Sequence, residues 1–220
     1  MATMINTETP ARPRQQRARE TRRRILDATL ELLEDSGIEK ISTNLVARRA
    51  GVNIASVYKY FPDKYAILQE LAQQFGQLQA DLICAYLRQV DATASIETVC
   101  EGLVDAVIEG TRGGRALVQL QRSLIALPEL LESYRATNRE IGQALLPFLD
   151  RWGIDLYGEA LDMAMLCLGE AFSALQDLAL SRDAGYDPAV VAELKLILIS
   201  YYRARASRDR QPPLPGNSGA

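Results

Sequence analysis

The sequence contains no histidine among its 220 residues. This absence excludes Ser-His and Cys-His nucleophile pairs, imidazole general bases and every histidine-ligated metal site. Its three cysteines, Cys84, Cys100 and Cys167, lie far apart and lack metal-ligand spacing. An odd number of isolated cysteines favours buried, reduced thiols over disulfides or a zinc site. We therefore expect no metal and no cofactor.

Long apolar runs are also missing. None approaches the roughly 18 uninterrupted apolar residues of a membrane span. The arginines near the N-terminus are not followed by the apolar stretch of a secretory signal. Hydrophobic residues nevertheless make up 48% of the chain, which is enough for a sizeable core. We therefore expect a cytoplasmic protein with one large domain or two small ones.

Charge is unevenly distributed along the chain, whose formal net charge is −3. Residues 1–64 carry 12 basic and 8 acidic side chains, a net of +4, whereas residues 65–220 carry 13 and 20, a net of −7. Seven arginines fall within the 13 residues from Arg12 to Arg24. A basic head on an acidic body predicts a polyanionic partner at one end. A solvated, basic start to a helix explains the same run.

Apolar residues recur at helical spacing through most of the chain, and no segment alternates with period two for long enough to form a strand. The pattern predicts an all-α protein of about nine helices. The first six are expected over 14–36, Ser42 to 50, Asn53 to 60, Asp63 to 90, 95–109 and 115–126. The seventh should begin at Pro128, the eighth should be capped by Asp155, and the ninth should run from Asp187-Pro188 to about 206. Pro147 is expected to kink the seventh helix or to end it near Leu146.

The first 64 residues carry the most specific pattern. A helix, a turn at Gly51 and a second short helix form the helix-turn-helix arrangement, whose second helix enters the DNA major groove. Val57 and Phe61 are expected to point inward. Tyrosines and a lysine at the rim of the second helix can reach phosphates, which position a protein without reading sequence. Core packing of these tyrosines in a plain helical bundle is the alternative.

The run TRRRILDATLELLEDSGIEKISTNLVARRAGVNIASVYKYFPDKYAIL, Thr21 to Leu68, resembles the DNA-binding domain of TetR-type transcriptional regulators. The similarity includes Gly37, the Ala50-Gly51-Val52 turn, Tyr60-Phe61 and Lys64. The remaining residues resemble the family in helical pattern only. The resemblance implies a helix-turn-helix domain over 14–62 and a ligand-binding and dimerisation domain over 63–206. Composition predicts a flexible basic arm over 1–13, which is polar and contains Pro10 and Pro13, and a disordered tail over 207–220.

The resemblance also implies which residues contact DNA. With the outward positions of the recognition helix, the expected contacts are Arg19, Arg22, Ser42, Thr43, Asn44, Ile54, Ala55, Ser56, Tyr58, Lys59, Tyr60 and Lys64. Three residues depart from the family pattern: Thr43 replaces an aliphatic residue, Leu45 a polar one and Ala55 a glycine. These departures leave the operator sequence open.

The body of the chain, residues 65–220, shows no catalytic constellation. A polar stripe on the eighth helix is interpreted as a solvated face: Glu159, Asp162, Glu170, Ser173 and Asp177. The last two helices are apolar on most sides, which suits a subunit interface. The resemblance implies a two-fold dimer through a four-helix bundle, with these expected interface residues: Leu168, Phe172, Leu175, Val191, Leu194, Leu198 and Tyr202.

The resemblance further implies a ligand pocket enclosed by helices four to eight. Its candidate residues are large or adaptable side chains: Tyr86, Arg122, Tyr134, Asn138, Phe148, Trp152, Met163 and Met165. These residue types favour a small, largely apolar effector with few polar anchors.

The sequence thus predicts a non-enzymatic, nucleoid-associated regulator with three partners: a palindromic double-stranded operator, a second copy of itself and a small effector. No membrane partner is expected. Repression is the family's usual mode, and activation or regulation without a ligand stays open. The alternative of another class is an all-helical small-molecule-binding protein with no DNA role. An enzyme built on carboxylates is disfavoured, since no histidine, phosphate loop or metal-ligand spacing is present.

Overall fold

The structure, a computed structural model, describes residues 14–124, 128–180 and 185–208. These ranges hold nine α-helices: α1 Arg14–Ser36, α2 Thr43–Ala50, α3 Ile54–Tyr60, α4 Lys64–Gln89, α5 Ile96–Gly110, α6 Arg115–Leu124, α7 Pro128–Trp152, α8 Gly158–Ala179 and α9 Pro188–Arg208. A 3-10 turn, Ile38–Lys40, precedes α2. The all-α prediction is confirmed, with no strand in the described ranges. The predicted arm, 1–13, and residues 209–220 of the predicted tail lie outside them.

None of the described helices combines the length and the apolar character that a membrane crossing requires. The chain divides into two compact units between Leu68 and Gln69, within the first turns of α4. The sequence places the domain boundary six residues earlier, at the start of that helix. Each unit has a buried core of its own.

Polar caps begin the short helices of the first unit where the sequence predicts them. The Ser42 hydroxyl accepts a hydrogen bond from the Leu45 amide at 3.3 Å, and the Asn53 side chain accepts one from the Ala55 amide at 2.8 Å. Such bonds satisfy backbone donors that a helix start leaves without partners. Gly51 ends α2 with φ of 61°, in the left-handed region that glycine adopts without a steric penalty.

The core of the first unit forms from apolar faces of α1, α2 and α3. Ile25, Val46 and Val57 are fully buried, and Phe61 is buried beside them in the same unit. Val57 and Phe61 thus point inward, as expected. The small Ala50 is buried as well.

Arg24 of α1 holds the turn that joins α2 to α3. Its guanidinium donates to the carbonyl oxygen of Ala50 and, at 3.0 Å, to that of Gly51. A Cβ atom built on Gly51 would lie 2.9 Å from this guanidinium nitrogen. Gly51 is therefore required both for its backbone conformation and for the space that Arg24 occupies.

The second unit contains the larger core, with residues from α5, α7, α8 and α9 around Trp152. The Trp152 ring lies 6.1 Å from the Phe148 ring and 5.7 Å from the Tyr202 ring, centre to centre. Its indole nitrogen donates to the Ala94 carbonyl oxygen at 3.1 Å. This bond satisfies the one polar atom that the buried indole carries.

The seventh helix does not end near Leu146, because α7 continues through Pro147 to Trp152. A kink at Pro147, the other expected outcome, stays a prediction. Pro147 is itself exposed, whereas Leu145 before it and Phe148 and Leu149 after it are buried in the core. Apolar burial on both sides of the proline therefore outweighs the one backbone hydrogen bond that it removes.

The predicted cap at Asp155 is also wrong. The helix α8 begins three residues later, and its N-cap position is Tyr157, which makes no side-chain cap. Ile154 and Leu156 on either side of Asp155 are 1% exposed. Burial of these two side chains keeps the segment out of the helix.

The prediction of three buried thiols holds for two of them. Cys84 and Cys100 are buried, and Cys167 on α8 is exposed. Burial raises the pKa of the Cys100 thiol to about 12 and raises the pKa of the Cys84 thiol as well. Neither buried thiol therefore ionises readily near neutral pH.

We predict that Arg24→Met loosens the turn between α2 and α3. Loss of two charge-assisted hydrogen bonds costs about 1–2 kcal/mol of local stability, which corresponds to roughly 5–30-fold faster opening. Hydrogen–deuterium exchange of peptides that cover residues 47–57 measures this change. Arg23→Met is the matched control, since Arg23 is exposed and pairs with Glu20 on its own helix. Equal exchange in both variants would contradict the role of Arg24.

Candidate DNA interface and ligand cavity

The predicted DNA contacts of α2 and α3 meet at one point in the first unit. The hydroxyl groups of Thr43, at the start of α2, and Tyr58, within α3, are hydrogen-bonded at 3.1 Å. Tyr58 is nevertheless 54% exposed. The bond orients the phenol while leaving most of it accessible, which is the state that a phosphate-contacting side chain requires.

The remaining predicted contacts stay accessible to differing degrees. Exposed side chains are Arg19, Arg22, Ser42, Asn44, Ala55 and Lys59, and half-buried ones are Thr43, Ile54, Ser56, Tyr60 and Lys64. None of them belongs to the buried core of the unit. All of these residues therefore remain candidates for contact with DNA.

The arginine run is less available than the sequence indicates. Arg23 forms an ion pair with Glu20 at 3.0 Å, and Arg24 is committed to backbone carbonyls. The Arg22 guanidinium carbon lies 5.5 Å from the centre of the Phe61 ring. This cation–π contact ties α1 to the end of α3 and places a positive charge there.

A cavity of about 100 Å³ lies within the second unit. Apolar side chains from α4, α5, α7, α8 and α9 form much of its wall, among them Ile83, Leu103, Ile141, Leu145, Phe172 and Leu198. Neutral polar side chains complete it: Gln79, Gln121, Tyr134, Thr137, Asn138 and Ser173. No charged side chain occurs among the described lining residues.

Three of the predicted ligand residues, Tyr134, Asn138 and Met165, line this cavity. Tyr134 and Asn138 stand one helical turn apart on α7 and face Gly169 of α8. A Cβ atom at Gly169 would lie 2.6 Å from both the side-chain oxygen Oδ1 of Asn138 and the Tyr134 hydroxyl. The absence of a side chain at Gly169 therefore makes the space that these two polar groups occupy.

The other predicted ligand residues do not line the cavity. Phe148 and Trp152 stack in the core, where burial rather than ligand contact explains them. The Tyr86 hydroxyl donates to the Thr98 carbonyl oxygen at 2.8 Å, which holds the ring against α5. Met163 is 60% exposed on the outer side of α8. The side chain of Arg122 lies outside the described residues.

Sequence reasoning missed the cavity's glutamines, Gln79 on α4 and Gln121 on α6. Gln79 donates to the Gln176 carboxamide oxygen at 2.7 Å. Gln176 in turn donates to the Thr111 hydroxyl at 3.0 Å and to the Tyr186 hydroxyl at 3.1 Å. This buried network joins α4, α5, α8 and the segment before α9. A polar residue inside an apolar helical pattern was the only available signal for it.

Burial in the structure contradicts three of the predicted interface residues. Leu194, Leu198 and Tyr202 are buried within their own chain, which makes them unavailable to a partner. Four further predicted residues are half-buried against the same core: Leu168, Phe172, Leu175 and Val191. Large apolar side chains are exposed elsewhere on α8 and α9: Met163, Leu178, Leu196 and Ile197.

The solvated stripe on α8 also needs correction. Ser173 is 6% exposed and lines the cavity, since it lies on the inner side of the helix. Asp162 pairs with Arg139 of α7 at 3.0 Å. Of the five stripe residues, Glu159 alone is exposed, and Asp162, Glu170 and Asp177 are half-buried.

Two family models match the chain. The model for bacterial regulatory proteins of the tetR family matches residues 25–71, and the model for a tetracyclin repressor-like C-terminal domain matches residues 95–201. Together they cover well over half of the sequence, with one match in each compact unit.

Curated relatives are transcriptional regulators. The chain is 28% identical over 127 residues to the HTH-type transcriptional regulator BetI of Cronobacter sakazakii, which is 56% of this chain and 63% of that protein. It is 40% identical over 63 residues to the HTH-type transcriptional repressor KstR of Mycolicibacterium smegmatis, which is 28% of this chain and 31% of that protein. The matches thus span less than two thirds of these relatives.

Solved structures show the same fold. A TetR-family regulator from Streptomyces coelicolor superposes with a TM-score of 0.65 at 24% identity, over 84% of this chain and 99% of that one. RolR in complex with resorcinol superposes with a TM-score of 0.58 at 20% identity, over 93% of this chain and 100% of that one. The chain therefore belongs to the TetR family of bacterial regulatory proteins.

Proposed function

We propose that the protein is a ligand-responsive repressor that binds a palindromic operator as a homodimer and is released by a small, largely apolar effector. The proposal rests on one observation: α4 belongs both to the end of the DNA-binding unit and to the wall of the cavity. This helix begins at Lys64, beside the helix-turn-helix, and supplies Gln79 and Ile83 to the cavity wall. A ligand in the cavity thus contacts the same continuous helix that leaves the DNA-binding unit.

The proposed domains are a helix-turn-helix domain over 14–62 and a ligand-binding and dimerisation domain over 63–206. Repression is favoured by the family's usual mode and by the similarity to KstR, a repressor, over part of the chain. An effector with an aromatic ring is favoured by the apolar cavity and by the resorcinol bound to RolR. A regulator of this kind acts on DNA in the cytoplasm, at the nucleoid.

The homodimer is supported by the outer faces of α8 and α9. Met163 and Leu178 on α8 are 60% and 53% exposed, and Leu196 and Ile197 on α9 are 55% and 42% exposed. Exposed large apolar side chains on two adjacent helices mark an interaction surface. A second copy that buries the same surface forms a four-helix bundle with two-fold symmetry.

Coupling is supported by the hydrogen bond between Gln79 and Gln176. It links the cavity side of α4 to the network on α8, so a ligand that repositions Gln79 changes how α4 is held. A ligand shifts the equilibrium between DNA-binding and released states only by its difference in affinity for the two, typically about 1–3 kcal/mol. The two-fold symmetry of the dimer requires an operator with matching half-sites.

We predict that Lys64→Ala and Tyr58→Phe weaken binding to all DNA sequences alike. Each removes a proposed phosphate contact. Lys64→Ala also removes a positive charge, so it lowers the slope of log K against log salt by about 1 per contact, hence about 2 per dimer, whereas Tyr58→Phe removes a neutral hydroxyl and leaves the slope unchanged. Fluorescence anisotropy over a salt series measures this slope. Ser56→Ala should instead alter sequence preference, because Ser56 is proposed to face base edges.

Lys40→Ala is the matched control for charge. Lys40 lies in the same unit on the exposed 3-10 turn and is not among the proposed contacts. Its loss should leave the salt slope at the wild-type value. An unchanged affinity and slope for Lys64→Ala would disprove its assignment to the phosphate backbone.

We predict that Leu196→Arg converts the dimer to a monomer, because a charge at the centre of an apolar interface lacks a partner. Light scattering measures the mass. Cys167 supplies a second readout, since it is exposed on α8 one turn after Met163. Its alkylation should be slow in the dimer and fast in the variant, while buried Cys84 and Cys100 stay unreactive in both.

Leu78→Arg is the control for this variant. Leu78 is also an exposed leucine, 43% accessible, but it lies on α4. This variant should remain dimeric, with Cys167 protected. A dimeric Leu196→Arg with protected Cys167 would place the interface elsewhere.

A further inference from the structure

We propose that the cavity has a polar end formed by Gln79, Gln121 and Ser173, and that its ligand is an uncharged, single-ring molecule with a hydroxyl or carbonyl group directed at that end. This inference rests on the proposed effector site and adds the chemical class of the ligand and the residues that recognise it.

The carboxamide of Gln121 is the principal recognition group. The side chain is 5% exposed and lines the cavity. Its nitrogen would lie 3.2 Å from a Cβ atom at Gly76, so the bare backbone of α4 at this point gives the carboxamide its position. Within the part of the chain that the structure describes, no residue is hydrogen-bonded to it. The carboxamide therefore offers two N–H groups and a carbonyl oxygen at the cavity wall, where a ligand hydroxyl or carbonyl group would bind them.

Gln79 and Ser173 lie at the same end of the cavity. Gln79 stands one helical turn after Gly76 on α4, and it donates one N–H to Gln176. A carboxamide has a second N–H and a carbonyl oxygen available for other partners. Ser173 stands one turn before Gln176 on α8 and is 6% exposed, with no hydrogen-bonded partner among the described residues. Three neutral donor–acceptor groups thus converge.

The rest of the wall holds the apolar part of a ligand. Ile83 lies one turn beyond Gln79 on α4, and Leu145 and Leu198 approach from α7 and α9. These side chains offer only carbon atoms to a ligand. The cavity is therefore amphipathic, and Tyr134, Thr137 and Asn138 add further neutral polar groups to its wall.

The described wall of the cavity carries no charged side chain, and this determines the class of the proposed ligand. The described lining residues include no Asp, Glu, Lys or Arg. A carboxylate or an ammonium group would lose its hydration without gaining an opposite charge, which is far more costly than burial of a hydroxyl. The neutral carboxamides and hydroxyls of the wall can hydrogen-bond to a hydroxyl or carbonyl group of the ligand. The wall therefore selects against both ionic classes.

The volume limits the size. The cavity measures about 100 Å³, and an apolar cavity of roughly 150 Å³ is known to bind one benzene ring. One ring with a short substituent matches this space.

Four probes with the same ring test the proposal: benzyl alcohol, toluene, benzoate and benzylammonium. Their affinities for the full-length protein are measured by calorimetry in the absence of DNA. Benzyl alcohol should bind at least about tenfold more tightly than either ion. Gln121→Leu should lower the affinity ratio of benzyl alcohol to toluene about tenfold, a loss of about 1.4 kcal/mol, because it removes the hydrogen bond and keeps the apolar contact.

Gln143→Leu is the matched control, since Gln143 is exposed on α7 and does not line the cavity. It should leave the ratio unchanged. Ser173→Ala provides a second variant with minimal structural change, and Trp152 fluorescence verifies the folded core of each protein. An ion that binds as tightly as benzyl alcohol, a ratio unaffected in both cavity variants, or no binding of any probe would overturn the proposal.

Operator binding of the same preparations is measured separately by anisotropy. Selective probe binding without any DNA binding would contradict the proposed repressor function and leave the ligand class standing. DNA binding together with tight benzoate binding would contradict the ligand class and leave the proposed repressor function standing.

Discussion

A single continuous helix, α4, has to satisfy two compact units at once. Its first turns bury Ile67 and Leu68 in the first unit, and its later turns bury Leu71, Ala72 and Phe75 in the second. The backbone hydrogen bonds between these positions are those of an uninterrupted helix from Lys64 to Gln89. Because both cores include residues of the same helix, we propose that a change in how the second unit holds α4 reaches the DNA-binding unit through this helix.

In the interior of the second unit, two glycines allow neutral polar side chains to approach the neighbouring helices closely. Gly169 lets Tyr134 and Asn138 approach α8, and Gly76 lets Gln121 approach α4. Each close approach places a polar group at the cavity wall where a larger residue would fill the space. Gln176 then connects the wall to α5 and to the segment before α9 through Thr111 and Tyr186. The described wall of the cavity thus carries polar side chains and no charged ones, and its Gln79 belongs to the helix that contributes to both units.

The sequence predicts the first unit well because its signals are local. Ser42 and Asn53 act as caps, Gly51 ends α2 and Phe61 is buried, all within a short segment that resembles a known domain. The second unit is less predictable because α8 and α9 are apolar on opposite sides. Periodicity alone does not distinguish Leu194, which packs inward, from Leu196, which faces outward. The cavity residues depend on contacts between distant helices, so a polar residue in an apolar pattern is the one local signal of Gln79 and Gln121. Trp152 lies in the core rather than at the cavity wall, because large aromatic residues also build cores.

The most direct test of the account is a selection of binding sites by the purified protein from randomised duplex DNA, with sequencing after several rounds. A homodimer that reads bases through α3 predicts enrichment of an inverted repeat, with half-site centres separated by about one helical turn or a multiple of it. Enrichment of a site without two-fold symmetry would contradict the dimer, and the absence of any enriched sequence would contradict sequence-specific regulation itself.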